Sequence, residues 1–314
     1  MKEFLERASH AGSLTYRDLH IILDALPVPM SWASLPGGEI RFVNRAFGKT
    51  FGYADDDFTT VDQWIERAYL QARHQDEARR RWLELWQARS EGISEIEAFD
   101  VDVLCADQTV RTVQHRGIIL HEIGVGIAIF DDISDRKVAE EALRRIAYED
   151  PLTGLSNRRM LQELWQKLLN EAQDTDTMAA LLLIDLDGFK AINDRLGHDA
   201  GDETLVAVAK RLRESVRSGD LVCRIGGDEF AILLPDLHNP QLVEQICWRI
   251  GAAMNRPVVI SGRSVKVGAS IGASLYPQDG DALQVLLKRA DEALYRRKAD
   301  RKGGWEWFRE PKAA

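Results

Sequence analysis

The apolar positions change their period several times along the chain. Residues 1–20 carry an amphipathic, mostly helical pattern, read as a lead-in. Short strand patterns follow at Met30-Ser31-Trp32-Ala33 and at the alternating Glu39-Ile40-Arg41-Phe42-Val43. Pro36-Gly37-Gly38 lies between them, and proline and glycine between two such runs signal a hairpin. Helical patterns then run to about Ser90; within 76–89, Trp82, Leu85, Trp86 and Arg89 recur at three- and four-residue steps. Three more strand patterns cover 95–104, 110–119 and 124–131, with Ala106-Asp107-Gln108-Thr109 as the turn between the first two. Two strands, helices, then three strands predict a compact α+β module.

A new helix pattern begins at Ser134. Val138, Ala142 and Ile146 recur at four-residue steps beside Ala139 and Leu143, in a narrow stripe flanked by Arg and Glu. Two readings stand: a short parallel coiled coil joining two copies of the chain, or a helix packed on its own N-terminal module. From Asp150 onward, helix, buried strand, helix, hairpin, helix, strand and helix alternate, which predicts a mixed sheet covered by helices.

The chemistry sits in that second half. The apolar run 180–184 reads as a buried strand and ends at Asp185-Leu186-Asp187. A second strand, 221–225, runs into Gly226-Gly227, and Asp228-Glu229 opens the return strand 228–234. Gly-Gly between two apolar strands is a two-residue hairpin signal, and glycine lets a polyphosphate approach the backbone closely. Two acidic clusters therefore stand at strand ends. If the strands are neighbours, like charges converge and raise each other's pKa. A divalent cation would relieve the repulsion and bring a triphosphate with it, as two-metal phosphoryl transfer requires. Any one acid alone reads as a solvated strand end; both clusters together do not.

Composition narrows the picture. A length of 314 residues suggests two domains, and 45% apolar with 29% charged residues suits a soluble globular protein. A net charge of −9 argues against broad nucleic-acid binding but leaves room for a local basic pocket. Cys105, Cys223 and Cys247 are far apart and form no CxxC pair, so neither a zinc site nor a disulfide framework is indicated. The N-terminus lacks an apolar leader and no run approaches a membrane span of ~20 residues. The expected setting is the cytoplasm.

Two family resemblances follow. Gly38-Glu39-Ile40, Val43-Asn44-Arg45-Ala46-Phe47, Phe51-Gly52-Tyr53 and the exit Asp131-Asp132-Ile133-Ser134-Asp135-Arg136 resemble a PAS domain across roughly residues 17–135. Gly226-Gly227-Asp228-Glu229-Phe230 is the GGDEF signature. Asp150-Pro151-Leu152-Thr153-Gly154-Leu155-Ser156-Asn157-Arg158-Arg159 resembles that family's opening motif. Asp185-Leu186-Asp187-Gly188-Phe189-Lys190 and the stretch from Asn193 to Asp202 resemble its central motifs, and Ala290-Asp291-Glu292-Ala293-Leu294-Tyr295 resembles the beginning of its last helix. The implied organisation is a lead-in (1–20), a PAS-like sensor with an antiparallel sheet (21–133), a signalling helix (134–149) and a GGDEF domain with a mixed sheet flanked by helices (150–314).

The GGDEF resemblance implies a diguanylate cyclase, which condenses two GTP into cyclic di-GMP and pyrophosphate with Mg²⁺ or Mn²⁺. At matching positions it implies that Asp185 binds metal through its side chain and Leu186 through its carbonyl. Asp228 would bind metal and accept the 3′-hydroxyl proton, and Glu229 would share the site; coupled acids leave the division between them open. Gly226 and Gly227 would line the substrate. Lys190 and Lys298 would contact phosphates, and so would Lys302, which stands where the family usually has Arg and cannot offer a planar fork.

Guanine presents two donors on one edge, which a carboxylate such as Asp202 accepts and which Asn193 can complement; Asp202 also reads as a helix cap. His198 reads as structural. Two GTP placed antiparallel require a symmetric homodimer. Arg217-Ser218-Gly219-Asp220, five residues before Gly226, resembles the family's inhibitory RxxD site for the cyclic di-GMP product; alone it would be a surface ion pair.

The sensor half names no signal. Trp32, Trp64, Trp82 and Trp86 would line a pocket or fill a core. His74, His115 and His121 suit a haem on residue type alone and read better as surface or strand histidines. Cys105 lies outside any photoactive flavin motif. A non-enzymatic receptor of cyclic di-GMP or GTP, and an adenylate-type cyclase, are the competing functions; intact Asp185, Asp228 and Glu229 oppose the first, Asn193 and Asp202 the second.

Overall fold

Period-two alternation becomes a five-stranded antiparallel sheet in the N-terminal half. Its strands are β1 (Met30–Ser34), β2 (Glu39–Val43), β3 (Ile93–Leu104), β4 (Val110–Leu120) and β5 (Val125–Asp132), in the order β2-β1-β5-β4-β3. The computed structural model describes residues 15–54, 56–88, 91–171, 178–300 and 302–309. The chain divides into two compact units, Met1–Glu141 and Ala142–Ala314. Of the expected lead-in, residues 1–14 lie outside the described residues. The helix that follows, α1 (Tyr16–Ala25), runs past residue 20 and starts from a capping box between Thr15 and Asp18.

Helices α2 (Arg45–Phe51), α3 (Val61–Ala68) and α4 (Ala72–Ala88) complete this unit. Phe47, Phe51, Trp64, Val101, Val113 and Phe130 form its core. Asn44, only 1% exposed, knots three elements together. Its Oδ1 accepts the N–H groups of Met30 and Phe47, and its Nδ2 donates to the carbonyls of Leu26 and Val28. It is thereby both the N-cap of α2 and the anchor of β1.

The next helix, α5 (Ser134–Tyr148), buries none of its residues. Val138, Leu143 and Ile146 are 70%, 66% and 78% exposed. The helix still keeps polar ties to β3 and β4: Lys137 pairs with Asp100 at 2.7 Å, and the Thr112 N–H donates to the Ser134 hydroxyl at 3.0 Å.

In the C-terminal unit the sheet order is β12-β11-β6-β8-β7, built from β6 (Met178–Asp187), β7 (Leu221–Gly226), β8 (Glu229–Leu237), β11 (Gly268–Tyr276) and β12 (Gly304–Trp307). The β11–β12 pair is parallel and the rest antiparallel. A small hairpin, β9 (Val258–Ile260) with β10 (Arg263–Val265), stands apart. The helices are α6 (Arg158–Glu171), α7 (Phe189–Leu196), α8 (His198–Glu214), α9 (Gln241–Met254) and α10 (Leu283–Asp300).

The central strand β6 reads as a continuous apolar run because both its faces are covered. Ala180, Leu182, Ile184 and Leu186 pack with Val208, Leu212 and Ile250, while Ala179, Leu181 and Leu183 pack with Trp165, Leu286 and Ala290. The last helix begins at Leu283, seven residues earlier than Ala290, where the motif suggested its start. Its apolar stripe already includes the buried Leu283 and Leu286, so the helical period simply extends upstream.

Candidate active site

Strand register brings the acidic segments together. Asp185, on β6, lies directly opposite Glu229 on β8. One residue further, the N–H of Leu186 donates to the carbonyl of Asp228 at 3.3 Å. Side chains directly opposite on paired strands have Cβ atoms about 5 Å apart, so Asp185, Leu186, Asp228 and Glu229 share one corner of the sheet. The hairpin turn itself is Gly227-Asp228, with Gly226 paired to Glu229. This shifts the expected Gly226-Gly227 turn by one residue. Gly227 has φ +53°, a left-handed conformation that favours glycine, and the shift carries Asp228 to the tip.

The electrostatics of this corner are unbalanced. Partial burial, followed by the carboxylates of Asp185, Asp228 and Asp291, pushes the Glu229 carboxyl above its ordinary range against the pull of Lys298. Lys298, from α10, places Nζ 2.6 Å from Oδ1 of Asp185. Asp291 is a fourth acid that the sequence reading left out of the site, although it stands in the last-helix motif, seven residues before Lys298. Asp187 departs from the cluster, because both its oxygens accept from the Ser270 hydroxyl at 3.0 Å.

Among the described residues, no three His, Cys, Asp or Glu side chains form a ready-made metal cage. The donor set still fits one kind of ion. Magnesium is usually bound by about one or two carboxylates plus substrate phosphates and water, and Asp185, the Leu186 carbonyl, Asp228 and Glu229 supply hard oxygens of that sort.

A second constellation, missed in the sequence, holds the signature turn in place. Arg224 on β7 donates from Nη1 to both oxygens of Asp150, at 3.1 and 3.2 Å, and from Nε to the carbonyl of Gly227 at 3.0 Å. Its own N–H donates to the carbonyl of Ser156 at 2.9 Å. Asp150 also accepts the N–H and hydroxyl of Thr153. Burial opposes ionisation of Asp150, but Thr153 and the Arg224 guanidinium outweigh it and hold the carboxyl below its usual range. The opening motif and the signature are thus one hydrogen-bonded unit.

Asn193 lies on α7, and its Oδ1 is buried without a hydrogen-bond partner. Gly201 on α8 makes room for it: a Cβ there would come within 1.8 Å of that oxygen. Asp202 is exposed inside α8, whose N-cap is Gly197, so the helix-cap reading of Asp202 does not hold. Lys190 is exposed in the first turn of α7, and Lys302 is exposed before β12. His198 opens α8 and is exposed. Arg217 and Asp220 pair with each other at 2.9 Å, and Arg217 also donates to the Pro235 carbonyl at 2.6 Å. That pair precedes β7, the length of the strand away from Gly226.

The family model "Diguanylate cyclase, GGDEF domain" matches residues 147–303, half of the chain. The chain belongs to the GGDEF family. A PAS domain model matches residues 16–88. Diguanylate cyclase TpbB of Pseudomonas aeruginosa is 42% identical over 163 residues, covering 52% of this chain and 38% of TpbB. The solved GGDEF domain of TpbB superposes with a TM-score of 0.50 at 40% identity, covering 52% of this chain and 95% of that one. The coiled coil and GGDEF domain of DgcB from Caulobacter crescentus, solved with cyclic di-GMP, gives 0.51 at 25% identity over 56% of this chain and 93% of that one. This chain spans roughly a fifth to two fifths of the length of the curated relatives it matches, from 22% to 38%. Among the described residues, no helix is long and apolar enough to cross a membrane.

Proposed function

We propose that this chain is a diguanylate cyclase whose GGDEF domain (150–314) is governed by its PAS-like module (21–133) through the helix 134–149. The observation that carries the reading is the register that sets Asp185 opposite Glu229, beside Asp228, with a lysine ammonium already on Asp185. A bound Mg²⁺ or Mn²⁺ would neutralise the triphosphate and polarise its α-phosphate. Asp185, the Leu186 carbonyl, Asp228 and Glu229 would hold it. Lys298, with Lys190 and Lys302, would meet phosphate oxygens, and the small Gly226-Gly227 backbone would let the phosphates come close.

In each half-reaction the 3′-oxygen of one GTP forms a bond to the α-phosphorus of the other. The bond to the β-phosphate oxygen breaks, pyrophosphate leaves, and the hydroxyl proton passes to the Asp228/Glu229 pair. Asn193, with a buried unpartnered Oδ1 able to accept from the guanine edge, and Asp202 would select guanine.

Two half-sites must face each other, so the active unit would be a homodimer. The exposed Val138, Leu143 and Ile146 of α5 offer a seam for it. Arg217 and Asp220 would bind cyclic di-GMP as an inhibitor. The test is incubation of the full chain with Mg²⁺ and either GTP or ATP. GTP should yield cyclic di-GMP and pyrophosphate in a 1:2 ratio, and ATP should yield nothing. Recovery of intact GTP, with binding but no turnover, would instead establish a receptor.

A further inference from the structure

Asp187 closes the acidic run of β6, yet its carboxylate is engaged elsewhere than in the corner that Asp185 helps to form. β6 pairs with β11 so that Ser270 stands opposite Asp185. The Asp187 carboxylate reaches Ser270 on the diagonal, with 3.0 Å between the hydroxyl oxygen and each carboxylate oxygen. Ser270 is 0% exposed. Its hydroxyl carries one proton and two lone pairs. The proton goes to Asp187, and a lone pair receives the backbone N–H of Gly303 at 3.0 Å. The three groups form one chain of hydrogen bonds, in which each polarises the next.

Gly303 is held through both of its polar groups. Nε of Arg297, on α10, donates to its carbonyl at 2.6 Å. Gly303 and Gly304 have φ +84° and +89°, which glycine accepts without strain. The turn from α10 into β12 is therefore fixed by side chains from β6, β11 and α10. Lys302 is the residue directly before this pair of glycines. β12 pairs with β11 so that Gly304 stands opposite Ser270, which itself stands opposite Asp185. Two strand spacings, about 10 Å, thus separate the turn from the acidic corner. A lysine side chain and a triphosphate can span that gap between them. Lysine is a compact charge on a flexible stem, without the fork of an arginine, so its reach is set by the backbone that carries it.

We propose that Asp187 and Ser270 are positioning residues for phosphate binding. Asp187 orients the Ser270 hydroxyl, the hydroxyl oxygen holds the Gly303 N–H, and this brace sets Lys302 against the triphosphate. The inference rests on the reading that the acidic corner takes GTP. It gives the second carboxylate of the Asp185-Leu186-Asp187 run a task different from the first: Asp185 faces the metal, and Asp187 steadies the lysine that meets the phosphates.

The experiment titrates a hydrolysis-resistant GTP analogue with Mg²⁺ into the full chain and its variants, with calorimetry as readout. Ser270→Ala should weaken binding about tenfold, and Lys302→Ala by about the same factor. The double variant should also lose only about tenfold, because the brace acts through the lysine. Asp187→Asn still offers an oxygen to the Ser270 hydroxyl and should stay within about twofold of the wild type, whereas Asp187→Leu should match Ser270→Ala. Guanosine, which has no phosphate, should bind the wild type and Ser270→Ala equally well, as a merely misfolded variant would not. An unchanged affinity in Ser270→Ala, an equal loss for guanosine, a loss of about a hundredfold in the double variant, or equal losses in Asp187→Asn and Asp187→Leu would each overturn the brace and leave the GTP reading standing. A wild-type chain that binds no analogue would overturn both.

Discussion

Glu229 and His115 are both titratable groups whose surroundings shift them, yet those surroundings differ in kind. Around Glu229, carboxylates from β6, the signature turn and α10 crowd together and raise its proton affinity, with Lys298 as partial counter-charge. Around His115, aromatic rings exclude water and hold the imidazole neutral. The first site has an excess of acceptors and calls for a cation. The second is closed off from water on every side, with Nε2 buried and without a hydrogen-bond partner. A pKa is therefore moved chiefly by burial and neighbouring like charge in one half, and chiefly by burial in the other.

Removing one charge from the crowded corner should have the largest effect. Glu229→Gln keeps the shape and relieves repulsion, so thermal stability should hold or rise while cyclic di-GMP synthesis falls about a thousandfold. Steady-state kinetics and calorimetry on the same preparation would show the two moving apart. A smaller effect, on structure first, is expected where the signature turn is tied down. Arg224→Ala strands the mostly buried Asp150 carboxylate and frees the Gly227 carbonyl. The loss should be about 3 kcal/mol, read as a Tm lowered by about 8 °C in the C-terminal unit.

The aromatic site should reveal itself through pH. His115 has a folded-state pKa near 3, below its ordinary 6.5. The unfolded chain therefore takes up the proton first as pH falls, and stability present above pH 6.5 is lost on the way towards pH 3. Between pH 7 and pH 5 this one group should cost about 2 kcal/mol. Denaturation of wild type and His115→Phe at both pH values should differ by that increment. The smallest effect is expected at Gly201. Gly201→Ala would drive a methyl into Asn193 Oδ1, and the KM for GTP should rise about tenfold with kcat little changed, as for lost uniform binding.

The sequence revealed those features that repeat with a period. The run 180–184 had to be a strand because six consecutive buried positions of β6, Ala179 to Ile184, are covered on both faces. The signature hairpin was legible, although its turn moved one residue because β7 continues through Gly226 and is irregular between Arg224 and Gly226. Long-range pairings were not legible. Arg224 meets Asp150 across 74 residues, and nothing local to either announces the other. Nor could residue type reveal that Gly201 shapes the space for Asn193, or that Nε2 of His115 is buried without a partner. The stripe on α5 was visible, but its exposure among the described residues emerged only from burial.

The most direct test of metal binding at the proposed acidic corner is electron paramagnetic resonance of Mn²⁺ titrated into the full chain with a hydrolysis-resistant GTP analogue. If Asp185 and Glu229 hold the ion together, the wild type should bind Mn²⁺ only when the nucleotide is present, and Asp185→Asn or Glu229→Gln should weaken it by about a hundredfold. Mn²⁺ binding of equal strength in the wild type and both variants would contradict the account.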